Sequence, residues 1–345
     1  MAYTDIDRPD LYFNTKLYTG NGSTQSITGV GFQPDWVWLK ARSSAYSHQL
    51  FDVVRGATKL LSSEETSAEQ TLSGVTSFDS DGFAVGSDAG SNNNTTTFAS
   101  WNWLAGNGTA SNSNGSITST VSANTTAGFS IVSYTGTGSN ATVGHGLGST
   151  PKMVICKNRS SGSVGWSSWH TGIGDGNNYI LLNTTQSTLT ASNIWNSTIP
   201  TSSVISVGSH PSTNESGSNM IAYCFAEKKG FSKFGSYTGN GNADGTFVYT
   251  GFKPAFTILK RTDSADNWLM QDNKRKNPFN VVDTQLFPDL NNAESSSSAI
   301  LDYCSNGFKI RKTGGNINAS GGSYIYMAFA EQPLVGTNNI PATAR

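Results

Sequence analysis

The sequence predicts an all-β chain of three tandem antiparallel β-sandwich or jelly-roll repeats. Three observations predict it: a phrase that recurs three times, short apolar alternations bounded by turn residues, and scarce helical periodicity. Tyr18-Thr19-Gly20-Asn21-Gly22, Tyr134-Thr135-Gly136-Thr137-Gly138 and Tyr237-Thr238-Gly239-Asn240-Gly241 each lead into a proline-containing turn and an apolar run ending in lysine, over 31–40, 147–157 and 251–260. The lysines Lys40, Lys157 and Lys260 recur roughly every hundred residues, a common domain size and too long for a solenoid turn.

Residues 1–15 form an N-terminal arm whose Tyr3, Ile6, Leu11, Tyr12 and Phe13 supply apolar anchors. They read equally as a docking element or as a first edge strand. Residues 16–106 are repeat 1, with a strand over 35–40 and a closing strand over 98–103. Trp36 with Trp38, and Trp101 with Trp103, are placed so that one ring of each pair is expected on the outer face. A helical turn is expected over 66–72. Residues 107–127, nearly all Gly, Ser, Asn, Thr and Ala, read as a flexible linker or a weak polar hairpin.

Residues 128–229 are repeat 2, with strands over 129–134, 153–157, 179–182 and 204–207 and a closing run over 220–227. Residues 230–334 are repeat 3, with a strand over 256–260 and a closing run over 324–331, and 335–345 are a polar tail. Repeats 1 and 3 share Asp52 and Arg55 against Asp272 and Arg275, Glu69 against Glu294, and Asp81-Gly82 against Asn306-Gly307. Repeat 2 lacks these marks. It carries Trp166, Trp169, His170 and Trp195 instead.

The Tyr-Thr-Gly-x-Gly phrase reads as a tight turn in which glycine supplies positive φ, because no helix follows to make it a phosphate cradle. The Asp/Arg pairs read as ion pairs that tether loops.

Charged residues are 13% of the chain, and 22 basic against 23 acidic residues give a net charge of −1. That balance does not draw phosphate backbones, so nucleic acid is not an expected partner. No stretch approaches the roughly twenty apolar residues of a membrane helix, and an export signal is not expected. Membrane insertion is not expected. Cys156, Cys224 and Cys304 fall inside strand-like runs and read as buried thiols.

No pair among the four histidines, His48, His145, His170 and His210, has metal-ligand spacing, and no nucleophile elbow or carboxylate pair stands out. The expectation is a non-enzymatic protein without metal or cofactor. Trp166, Trp169, His170 and Trp195 are the candidate binding residues, since exposed rings beside Asn and Ser stack on sugars. Filling the sandwich core is their competing role.

The strings 12–22, 31–40, Phe51-Asp52-Val53-Val54-Arg55-Gly56, 223–237, 305–310 and Ala328-Phe329-Ala330-Glu331 together resemble a family of uncharacterised, tail-fibre-like proteins encoded among the virion structural genes of marine tailed bacteriophages. The resemblance spans most of residues 1–335. It implies a virion protein made in the host cytoplasm and displayed on the tail or capsid, with other virion proteins and a host surface glycan as partners. It favours a tail fibre or appendage for host recognition, assembled as a homo-oligomer and by analogy a trimer. A capsid decoration or head-fibre protein is the alternative, and a carbohydrate-active enzyme or lectin the third.

Overall fold

The computed structural model describes residues 4–275 and 280–335. Nearly all regular structure is antiparallel β. In the first segment an opening strand Phe13–Thr19 pairs with the closing strand Thr97–Trp103, which pairs with an inner strand Trp36–Ala41 and then an edge strand Gln49–Asp52. The same order recurs in Phe129–Thr135, Asn219–Phe225, Met153–Asn158 and Ser167–His170, and again in Ser232–Thr238, Ser323–Pro333, Phe252–Arg261 and Leu269–Asp272.

A smaller sheet lies over each of these. It is Gln25–Thr28, Gly82–Val85 and Val75–Asp79 in the first segment, and Ala141–Gly144 with Val204–Val207 in the second. In the third it is Phe247–Tyr249, Gly307–Ile310, Ser295–Cys304 and Val282–Gln285. A four-residue helix precedes each closing strand: Ala89–Asn92, Pro211–Asn214 and Gly315–Asn318.

The alternation along the inner strands explains the cores. Val37 and Leu39 face the first segment's own sandwich with Phe51, Phe83 and Phe98, while Trp36 and Trp38 point the other way. Side chains two apart on a strand share a face. Both tryptophans of each pair are therefore inward, and the expected outer-face ring is absent: Trp36, Trp38, Trp101 and Trp103 are all buried. They enter a core shared by all three segments, where Trp36 meets Trp103, Phe129 and Tyr223, and Phe329 meets Trp103, Phe225 and Phe256. The segments are gathered around one aromatic centre rather than strung out in line.

The arm belongs to that centre. Phe13 begins the opening edge strand and its ring stacks 5.2 Å from Phe329. Ile6 is buried, Tyr12 packs on Phe231, and the Asp5 N–H donates to the Lys229 carbonyl at 2.9 Å. As a docking arm it is thus corrected: its apolar anchors are spent inside the chain, save Leu11, which is exposed, and Tyr3, which lies outside the described residues. The 107–127 stretch is the polar hairpin and not a free linker, because Ala110–Asn112 and Ser119–Asn124 extend one side of the second segment's sheet, and with Asn178–Leu181 and Leu189–Thr190 on the other side the sheet has eight strands. The tail beyond Val335 lies outside the described residues.

Candidate functional site

The chain's unusual chemistry lies where segments meet, and the three meetings follow one plan in the order first to second, second to third, third to first. The residue just before each of Gln49–Asp52, Ser167–His170 and Leu269–Asp272 is a ring whose N–H reaches the neighbouring segment. Trp166 donates to the Ser62 carbonyl at 2.9 Å and Trp268 to the Leu181 carbonyl at 3.0 Å. His48 Nε2 lies 3.0 Å from the Phe287 carbonyl, and its Nδ1 accepts from the Trp38 indole at 2.8 Å, so Nε2 carries the proton and donates. In all three a side-chain oxygen accepts the ring residue's main-chain N–H: Glu64 for His48, Asn183 for Trp166 and Asp289 for Trp268. Burial pushes Glu64 and Asp289 up to about 7.

The last residue of each of these three strands makes a second link. The Asp52 carboxylate accepts from Tyr223 at 2.8 Å, and Asp272 accepts from the Trp101 indole at 3.0 Å. His170 holds the same place in the second segment, its Nε2 3.1 Å from the Tyr326 carbonyl. Arg55 and Arg275 each clamp their aspartate, donate to a main-chain carbonyl, and extend to Glu69 and Glu294. Those glutamates cross over. Glu69 forms a two-bond pair with Arg159, and Glu294 with Arg42.

Alongside run main-chain bonds from Glu69 to Arg159, Thr188 to Thr262 and Glu294 to Arg42. Lys157 Nζ donates to the Thr66 carbonyl at 2.7 Å and Lys260 Nζ to the Thr185 carbonyl at 3.1 Å, both across junctions. Lys40 Nζ donates to the Ala41 carbonyl at 2.8 Å. Burial lowers all three lysines to about 8, leaving them charged at neutral pH with carbonyls facing their protons.

Of these groups, Glu64, Asp289 and the three lysines are shifted by burial. Strongly shifted groups mark active sites when they line a cleft; otherwise they are structural networks. Here the rings, Asp52, Asp272, Arg55 and Arg275 are buried between sheets, while the side chains of the outer pairs Arg159–Glu69 and Arg42–Glu294 are 13–19% exposed. Among the described residues no group of three or more His, Cys, Asp or Glu side chains is gathered to hold a metal, and no helix is long and apolar enough to cross a membrane.

The saccharide candidates are corrected by the same geometry. Trp166, Trp169, His170 and Trp195 are 0%, 4%, 1% and 2% exposed. Trp166 and His170 are junction residues, and the Trp169 indole donates to the Asp175 carbonyl at 3.2 Å. None offers a face to solvent. Two aromatic residues not singled out by the sequence do: Phe247 and Tyr249, 45% and 57% exposed on the edge strand of the third segment's smaller sheet. The signal was there, since the corresponding strand of repeat 1 reads Ser26-Ile27-Thr28.

The sequence profile of the family described as Domain of unknown function (DUF7483) matches residues 8–333. No curated protein matches the chain.

Proposed function

The chain belongs to the family Domain of unknown function (DUF7483), and we propose that it is a non-enzymatic bacteriophage virion protein, a compact tail fibre or tail appendage that meets the host surface. One observation carries this reading: the buried and half-buried ionisable groups at the junctions serve to close three β-sandwich segments on one another, which suits a rigid displayed body. The low charge of the sequence and its resemblance to tail-fibre-like proteins support the same role.

The proposed working unit is a homo-oligomer, by analogy with tail fibres a trimer. Immunogold labelling of purified virions with an antibody to this protein tests the proposal. Gold confined to the tail is the expected result; gold on the icosahedral shell replaces it with the decoration role, and unlabelled particles end both.

A further inference from the structure

We infer that the third segment carries a saccharide-binding platform made by Tyr249, Phe247 and the cavity beside Tyr249. The inference rests on the proposed host-surface role and names its ligand class.

The chain supplies its own control. Val248 pairs with Phe308 and Tyr249 with Gly307, as Ile27 pairs with Phe83 and Thr28 with Gly82 in the first segment. Val248 and Ile27 are both buried and fill their sandwiches. The flanking positions are Ser26 and Thr28 in the first segment, and Thr142 and Gly144 flank the buried Val143 in the second. Small and polar residues thus satisfy the fold there. Only the third segment has Phe247 and Tyr249, two large rings left in solvent, which the packing does not require. Alternate residues project from one face of a strand, which places the rings about 7 Å apart.

Tyr249 lies along Gly251, where a Cβ would sit 3.5 Å from its hydroxyl, and forms one wall of a cavity of about 240 Å³. That equals roughly eight waters at about 30 Å³ each, room for one hexopyranose. The other walls bring Ser232, Thr250 and the Glu227–Lys233 ion pair, whose oxygen and nitrogen are 2.7 Å apart and partly exposed. A pyranose has an apolar C–H face to lie on a phenol ring and vicinal hydroxyls to bridge a carboxylate and an ammonium. Acceptor, donor and flat ring are all present on one open rim.

Saturation-transfer difference NMR tests this on the intact chain with a panel of glucose, galactose, mannose and galacturonate oligosaccharides. The comparison is the double variant Phe247→Ser with Tyr249→Thr, which installs the residues of the first segment. Expected is transfer to ring protons of at least one saccharide with the wild type, reduced at least tenfold in the variant, whose melting temperature is unchanged. The inference is overturned by no transfer to any panel member, by equal transfer in the variant, or by light scattering showing that the rings only hold two copies of the chain together. Tail labelling without saccharide transfer sinks the platform and keeps the virion role. Transfer with unlabelled virions does the reverse.

Discussion

Arg55 shows how much one buried side chain carries at a junction. It neutralises Asp52 while that carboxylate accepts from Tyr223 of the next segment, so all three are held in a dry site. Removing one partner of a buried pair leaves an uncompensated charge, which costs about 3–5 kcal/mol, whereas losing a hydrogen bond to a charged group costs about 1.5–3 kcal/mol. Arg55→Met is therefore expected to lower stability more than Tyr223→Phe, and urea denaturation midpoints check the order. His170 gives a pH prediction. Burial lowers it to about 4 from 6.5, so between those values the unfolded chain takes up a proton that the folded chain does not. Its contribution is whole above about pH 6.5 and is lost as pH falls toward 4, by at most about 3 kcal/mol. Stability measured from pH 7 to pH 4 should fall more steeply for the wild type than for His170→Asn; parallel slopes would show that His170 is not buried neutral.

At the scale of elements, the Tyr-Thr-Gly-x-Gly turn was legible because glycine geometry is local. Gly22, Gly138 and Gly241 have φ of 72°, 73° and 69°. What the sequence did not display is the anchor: a buried asparagine at the end of each short helix, Asn92, Asn214 or Asn318, whose amide donates to the carbonyl six residues before it and to the carbonyl of Ser23, Ser139 or Asn242 beside the turn, and whose oxygen accepts a turn N–H. With each lost bond worth about 1 kcal/mol, Asn214→Ala is expected to cost about 2–3 kcal/mol by thermal or urea unfolding, and an unchanged stability would remove the asparagine from that role. The helix expected over 66–72 is extended instead, since the Thr66 carbonyl bonds Lys157 and the Glu69 N–H bonds the Arg159 carbonyl. Those partners lie about ninety residues away, beyond any local pattern. The tryptophans of the second segment stayed ambiguous for the same reason: periodicity shows a strand face, not which segment covers it.

For the whole molecule, the strand content and order of elements were readable, while the closure of the third segment on the first was not, because no chain connection announces it. Its trace in the sequence is the match of Asp272, Arg275 and Glu294 to Asp52, Arg55 and Glu69, which looked like two local tethers and proves to be the same lock at two junctions. A shared aromatic core with hydrogen-bonded links at all three junctions makes the segments interdependent, so damage at one junction spreads to all. Differential scanning calorimetry of the intact chain and of Asp272→Asn tests this most directly. One cooperative transition with equal calorimetric and van't Hoff enthalpies, moved as a whole to lower temperature by the substitution, is the predicted result. Separate transitions, with only the one belonging to the third segment displaced, would contradict it.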